Sequence, residues 1–322
     1  MESYKMKTSF VVTIFNEEGS IRSFLKSIAE QTVAPDEIII VDAGSTDKTI
    51  SKIKKWQKQL PIRLIIEPGI NRSQGRNLAI KTTKNKIIAV SDAGCILNPN
   101  WLKEITNPLK KKSVFVVAGN YQPIATTSFQ KSLAAYTCAD IYQKNKNHFL
   151  PSSRSIAFKK LVWQKVGGYP KELNYCEDLV FDQKIKKSGF SFLFSPKAIV
   201  YWPQRKTITG AFRQFHRYAF GDGQVFFSQY QTHSKKIALI FFRYLLGLIL
   251  FFLAIKHWSW QVVLFIVLLA YFAWPIIKTK KMLSGQALFI TPFIQILADV
   301  AVMTGTLRGI LENLKRKGYN YH

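Results

Sequence analysis

Acids are scarce in this chain, and where they fall is its first chemical signal. Lys and Arg number 46 against 19 Asp and Glu, and only Asp299 and Glu312 lie beyond residue 236. Three of the earlier acids close successive short β-branched runs: Asp42 ends 37–42, Glu67 follows 62–66, and Asp92 ends 86–92. If those runs are neighbouring parallel strands, their carboxylates gather on one edge of a sheet. There a carboxylate can hold a cation or take a proton from a substrate hydroxyl. Turn chemistry offers a second explanation, because Asp is common wherever a strand gives way to a turn. Three successive units ending in the same way favour the chemical one.

Such acids need a scaffold that sets their strands side by side. Strand-like runs at 9–14, 37–42, 62–66 and 86–92 alternate with segments at 20–31, 47–59 and 73–82, whose apolar residues recur every three or four positions. Alternation of this kind predicts an α/β domain with a mostly parallel sheet, helices on both faces, and ligands beyond the carboxyl ends of the strands. From 113 to 202 the pattern turns mixed. Strands are expected at 114–118, 155–158, 190–194 and 198–201, and helices at 128–143, 159–166 and 177–187, extending the same sheet.

The run Phe15-Asn16-Glu17-Glu18 after the first strand and Asp42-Ala43-Gly44-Ser45-Thr46-Asp47 after the second resemble the opening motifs of family 2 glycosyltransferases of the GT-A fold, and the resemblance covers about residues 8–218. It implies a Rossmann-like, mixed but mostly parallel sheet and an inverting transfer from a nucleotide sugar such as a UDP- or GDP-sugar. By the family pattern Asp42 contacts the nucleotide base, with Glu67, Arg76 and Asp92 also on the donor side. Asp47, opening a helix, is equally well placed as a cap. Arg76 lies in Gly75-Arg76-Asn77, where the family brings a basic residue to the nucleotide or its phosphates; an isolated helical Arg is otherwise a solvated one. Ser91-Asp92-Ala93-Gly94-Cys95 stands where the family carries Asp-x-Asp to hold a divalent cation, Mg²⁺ or Mn²⁺, and here Gly94 replaces the second acid. Tyr175-Cys176-Glu177-Asp178, led in by Gly167-Gly168-Tyr169-Pro170, resembles the Glu-Asp motif, which makes Asp178 the catalytic base and puts Glu177 on the acceptor side. Two acids in a first helical turn also complement the helix dipole. Gln214-Phe215-His216-Arg217-Tyr218 is similar to the family's Gln-x-x-Arg-Trp element, so that Gln214 and Arg217, on one helical face, reach an acceptor or a diphosphate. The bare alternative is an amphipathic interfacial helix whose Arg snorkels.

Beyond residue 236 the composition turns apolar. Runs at 237–255 and 258–277 match the ~20 residues that cross a bilayer, and a third at 286–307 carries Asp299. The expected organisation is a catalytic domain over 1–206, an interfacial segment over 207–236, and a membrane region over 237–322 ending in a basic tail. Lysines at 235, 236, 278, 280 and 281 flank the first two runs, so the positive-inside rule predicts a hairpin with both ends cytoplasmic. By the same rule the third run is re-entrant or interfacial, or the rule fails there, and Asp299 is either functional or bonded to a neighbouring helix. Absence of a leader-like N-terminus and three scattered cysteines fit an integral membrane protein with a cytoplasmic catalytic domain and reduced thiols. The formal charge of +27 is spread through amphipathic segments, which favours membrane lipids and phosphate-bearing substrates over nucleic acid. The leading expectation is sugar transfer to a lipid-linked or membrane-proximal glycan. Transfer to polyprenyl phosphate, a non-catalytic nucleotide-sugar-binding protein, and a basic lipid- or nucleic-acid-binding scaffold are the alternatives.

Overall fold

The computed structural model describes residues 6–138, 151–230 and 232–319. It divides into two compact units, one holding the described residues up to Ile124 and from 151 to Pro203, the other holding 125–138 and those from Gln204 onward.

In chain order the first unit contains β1 (Thr8–Ile14), α1 (Ile21–Ala29), β2 (Glu37–Asp42), α2 (Thr49–Trp56), β3 (Ile62–Ile66), α3 (Arg72–Thr82), β4 (Ile87–Val90), β5 (Ile96–Leu97), α4 (Trp101–Thr106) and β6 (Val116–Ile124). After α5 (Ser128–Cys138), which belongs to the second unit, it resumes with β7 (Ile156–Lys159), α6 (Lys160–Lys165), α7 (Glu177–Lys187) and β8 (Phe192–Pro203). One eight-stranded sheet runs β3-β2-β1-β4-β7-β6-β8-β5. The first four strands are parallel, β7 and β5 run against their neighbours, and β6 pairs in parallel with β8. Strand periodicity sends alternate residues of β1 to opposite faces. Phe10 packs against Phe24 of α1 and Trp101 of α4, while Val11 joins Ala79 and Ile80 of α3 and Phe181 and Ile185 of α7. The sheet is therefore covered on both sides, as the alternating sequence required.

Registers place the acids. Asp42 lies opposite Ile14 and Ile66, so the ends of β1, β2 and β3 share one edge. β4 leaves the ladder earlier, with Val90 opposite Val11, so Asp92 belongs to the turn after the strand rather than to its end. The expected strands at 190–194 and 198–201 are one continuous strand, β8, and neither β5 nor α4 was foreseen. Both of those are too short to show a period.

The second unit comprises α5, α8 (Ile208–Gln224), α9 (Ser234–Lys256), α10 (Trp258–Thr279), α11 (Gln286–Phe289) and α12 (Thr291–Tyr319). α5 falls inside the stretch read as the catalytic domain, yet its Leu133 packs with Ala211 and Phe215 of α8 and Ile294, Ala298 and Ala301 of α12. Residues 139–143 of the expected helix lie outside the described residues. α9, α10 and the segment 286–316 are long and apolar enough to cross a membrane, and α9 and α10 expose Leu, Phe, Ile and Val on nearly every side. α12 is different. Gly305 and Gly309 let it approach α8 closely: a Cβ on Gly309 would stand 2.1 Å from the carbonyl oxygen of Phe220, and one on Gly305 2.4 Å from that of His216. Asp299 on α12 accepts from Arg243 of α9 and from the hydroxyl of Tyr271 of α10 at 2.8 Å, which ties α9, α10 and α12 together. Of the two roles open to Asp299, the structure shows the hydrogen-bonding one.

Candidate active site

The first two motifs interlock. Asn16 has φ 53°, a left-handed conformation that Asn tolerates better than most residues. Its Oδ1 accepts from Thr46 N–H at 2.9 Å and its own N–H donates to Ser45 Oγ at 2.8 Å. The next two N–H groups, of Glu17 and Glu18, donate to Thr49 Oγ1 and Asp47 Oδ2. Asp42 underlies this layer. It is fully buried, accepts from the N–H groups of Gly44 and Ser45 at 2.9 and 2.7 Å, and also from the Ser45 hydroxyl. Both oxygens of the acid expected at the nucleotide base are thus engaged by the turn that follows it. Asp47 also accepts from Thr49 N–H at the start of α2, and hydrogen bonds from Thr49, with that from Glu18, hold its carboxyl below the usual range. Glu67 is exposed beside this turn, its N–H donating to the Asp42 carbonyl at 2.9 Å.

The third motif carries the centre of the site on α3. Asn71 and Gln74 form a reciprocal capping box that starts the helix. Gly75 lets α3 lie close on β1, where a Cβ would come within 2.8 Å of Thr13 Cγ2. Asn77 pins the lead-in of the Glu-Asp motif: it donates to the Tyr169 carbonyl at 2.8 Å and accepts from Tyr169 N–H and Trp163 Nε1. Gly168, at φ 72°, is required there, because a Cβ would meet Asn77 Oδ1 at 2.6 Å. Between Gly75 and Asn77, Arg76 points inward. It is 2% exposed, pairs through Nη1 with Glu177 and through Nη2 with Asp92 at 2.8 Å, and lies over the Tyr169 ring. Burial opposes its charge, but Glu177 and Asp92 outweigh that and hold it protonated. A position that reads as a solvated surface Arg is therefore the most deeply buried cation of the site. Arg72, one turn back, is partly exposed and pairs with Glu177 at 3.8 Å.

Glu177 and Asp178 open α7 after Cys176, which is held at φ 59°. Glu177 turns inward to the arginines. Asp178 stays half-buried, with Oδ1 accepting from Leu179 N–H at 2.9 Å and Oδ2 at 3.4 Å from both Ser152 Oγ and Ser153 N–H. Asp92 keeps 37% of its side chain open. Burial would raise its carboxyl, but Arg76, Arg154 and Arg72 prevail and hold it low. Neighbouring Cys95 is no nucleophile, since burial, with Asp92 adding to it, pushes the thiol up to about 12.

Besides Arg72, two residues of this site carry no motif. Arg154 bonds to Ser152 Oγ at 2.9 Å and lies 4.2 Å over the Trp202 ring and 5.7 Å from that of Tyr121, a cation on an aromatic shelf beside Asp92. Among 46 basic residues nothing in the sequence singles it out. Asp182, one turn beyond Asp178, is 1% exposed with Oδ2 unpartnered, and burial, then the Asp178 charge, pushes its carboxyl well up. An i, i+4 acid pair was the available signal. Gln214 and Arg217 lie on α8 in the second unit, Gln214 buried and Arg217 exposed.

These side chains do not form a metal cage in the free protein. One Asp92 oxygen is taken by Arg76, position 94 supplies no carboxylate, and no group of three His, Cys, Asp or Glu converges among the described residues.

Residues 9–165 match the model of Glycosyl transferase family 2. Over 207 residues the chain is 24% identical to the O-antigen chain rhamnosyltransferase RfbN of Salmonella typhimurium, covering 61% of this chain and 66% of that one. Over 268 residues it is 21% identical to a poly-beta-1,6-N-acetyl-D-glucosamine synthase of Staphylococcus epidermidis, covering 79% and 65%. The chain thus spans somewhat less than two thirds of the length of these relatives. A solved mannosyltransferase from Pyrobaculum calidifontis, in complex with GDP-Man and Mn²⁺, superimposes with a TM-score of 0.59 at 18% identity over 98% of this chain and 89% of that one. That likeness shows the GT-A arrangement of strands and helices. The interlocked strand-end motifs, the sheet that carries them and the family match have one reading: residues 9–165 form a domain of the glycosyltransferase family 2 type.

Proposed function

We propose that this protein is an inverting glycosyltransferase that moves a sugar from a nucleotide-sugar donor, a UDP- or GDP-sugar, to a lipid-linked or membrane-proximal glycan. The observation that carries the proposal is the meeting of three separate motifs at Arg76, whose guanidinium holds both Asp92 and Glu177, with Asp178 next to Glu177 in sequence. In this reading the Asp178 carboxylate removes the proton from the acceptor hydroxyl while that oxygen attacks the anomeric carbon. The new glycosidic bond forms as the bond to the nucleotide diphosphate breaks, and its electron pair leaves on the phosphate oxygen. Asp178 is suited to this because it is half-open and oriented by hydrogen bonds from Ser152, Ser153 and Leu179. Negative charge gathering on the leaving diphosphate is met by the cationic side of the site, where Arg72 and Arg154 flank Arg76. Asp92 and Glu67 serve the donor's hydroxyls, Asp42 fixes the turn beside the base, and Glu177, Gln214 and Arg217 serve the acceptor or the diphosphate.

The relatives that build O-antigen chains and poly-N-acetylglucosamine support a cell-surface glycan as product, and the structure neighbour's GDP-Man supports a nucleotide-sugar donor. That neighbour also holds Mn²⁺, whereas the described residues here do not build a cation site on their own, so no step is assigned to a metal. We place the sheet and its site on the cytoplasmic side, where the lysines flanking α9 and α10 would sit. The test is Asp178→Asn: UDP- and GDP-sugar binding should persist while transfer of labelled sugar into membrane acceptors falls about a hundredfold or more. Turnover near that of the unmodified protein removes Asp178 from the mechanism.

A further inference from the structure

Gln214 is 5% exposed, and its amide has one satisfied end. Its Oε1 accepts from Arg205 Nε at 2.9 Å, while Nε2 has no partner among the described residues. The chemistry fixes which end is which: a guanidinium can only donate, so the amide atom facing it must be oxygen and the NH₂ must point the other way. Arg205 is itself held for this contact. The carbonyl of the preceding Gln204 accepts from the buried Gln130 side chain of α5 at 2.9 Å, which anchors the backbone. Thr207 caps α8 through Gly210 N–H. The arginine stem passes along the first turn of α8, where a Cβ at Gly210 would meet Arg205 Cβ and Cδ at ordinary contact distances of 3.6 and 3.9 Å. A buried amide NH₂ left without an acceptor is unfavourable, so the arrangement points to an oxygen that no described residue supplies.

We infer that Arg205 is a positioning residue that locks the Gln214 amide with its NH₂ presented to a substrate oxygen, either of the donor's diphosphate or of the acceptor glycan. This rests on the reading above that Gln214 touches substrate. An unheld glutamine could flip and offer either end; with Arg205 in place it offers only a donor.

The test is a double-mutant cycle on the full-length protein in detergent or native membranes, using Arg205→Ala, Gln214→Ala and both together. Melting temperatures confirm folding, which Arg205 should not threaten because it is exposed. Binding of UDP and GDP alone reads the diphosphate source, and transfer of label from a nucleotide sugar into membrane acceptors reads the glycan source. Loss of one oriented hydrogen bond should weaken whichever of the two depends on it by about fivefold or more, and Arg205→Ala should add nothing in the Gln214→Ala background. Gln214→Glu supplies a readout that a structural role would not produce. It keeps the shape and strengthens the pairing with Arg205, yet turns an oxygen toward the substrate oxygen, so it should fall below Gln214→Ala. Additive losses, an Arg205→Ala variant equal to the parent, or a Gln214→Glu variant better than Gln214→Ala would overturn the inference. If Gln214→Ala itself is silent in both assays, the earlier assignment of Gln214 to substrate fails, and this inference with it.

Discussion

Asp182 on α7 and Asp92 after β4 meet opposite environments, and that contrast is measurable. Asp182 is buried with an unpartnered oxygen, so burial and the nearby Asp178 charge raise its carboxyl, with Lys186 opposing them. A carboxyl raised in the folded state stabilises the protein below its unfolded value of ~3.9 and loses that contribution as pH rises through the folded value. Asp92 has the reverse sign: its carboxyl is held low, so its contribution is present above the unfolded value and lost as pH falls through the folded one. Asp182→Asn should therefore flatten the fall in melting temperature as pH rises above the carboxylate range and leave the acid limb alone. Parallel curves for variant and parent would show that Asp182 does not titrate there. Gly94 supports a second prediction. With Asp92 already paired to Arg76, Mg²⁺ or Mn²⁺ should bind the donor-free protein weakly and bind measurably when UDP or GDP is added. A Cβ at Gly94 meets nothing within 4 Å, so Gly94→Asp fits and should tighten donor-free binding. Calorimetry showing tight one-to-one binding to the unmodified, donor-free protein would contradict this.

Among the elements, α12 does the most to organise the second unit. Toward its N-terminus Asp299 bonds to Arg243 and Tyr271, and further on Gly305 and Gly309 seat it on α8, where Gly223 meets the Thr306 carbonyl at a Cβ distance of 2.3 Å. Close packing of small residues holds helices together without any hydrophobic drive, as in membrane helix pairs. The obstacles are backbone atoms, which cannot rotate away. Gly309→Ala should then destabilise the protein by about 1–3 kcal/mol. Gly247→Ala, on an open face of α9, should be neutral or slightly stabilising, since Ala favours helix by ~1 kcal/mol over Gly. Thermal unfolding in detergent compares the two, and equal melting temperatures would mean that the α8–α12 contact is looser than drawn. The same packing shows why residues 286–307 resist a simple topology rule: α12 buries a far larger share of its apolar stretch than α9 or α10 does. Its sequence answers to helix neighbours as well as to lipid.

For the molecule as a whole, the chain alone determined what depends on local period and composition. Alternating runs announced a mostly parallel α/β sheet, the step in hydropathy near residue 236 announced long apolar helices, and the motifs at Asn16, Asp42, Asp92 and Glu177 marked the candidate site. These were legible because strand and helix periods are short-range properties and because acids are rare in a chain of formal charge +27. Tertiary structure decided which side chains meet. Arg76 looks like any helical arginine until Glu177, from a motif 101 positions away, is brought to its guanidinium, and Arg154 becomes part of the site only when Trp202 and Tyr121 come beneath it. Asp42, whose place in a motif suggested ligand contact, has its oxygens engaged by its own turn, a matter of backbone conformation at Gly44 and Ser45. α5, lying between strands of the sheet in sequence, packs with helices more than 70 residues further on because its apolar face matches α8 and α12. Periodicity tells a segment that it has a face to bury; only the folded chain supplies the surface that covers it, and with it the charges that meet Asp92 and Asp182.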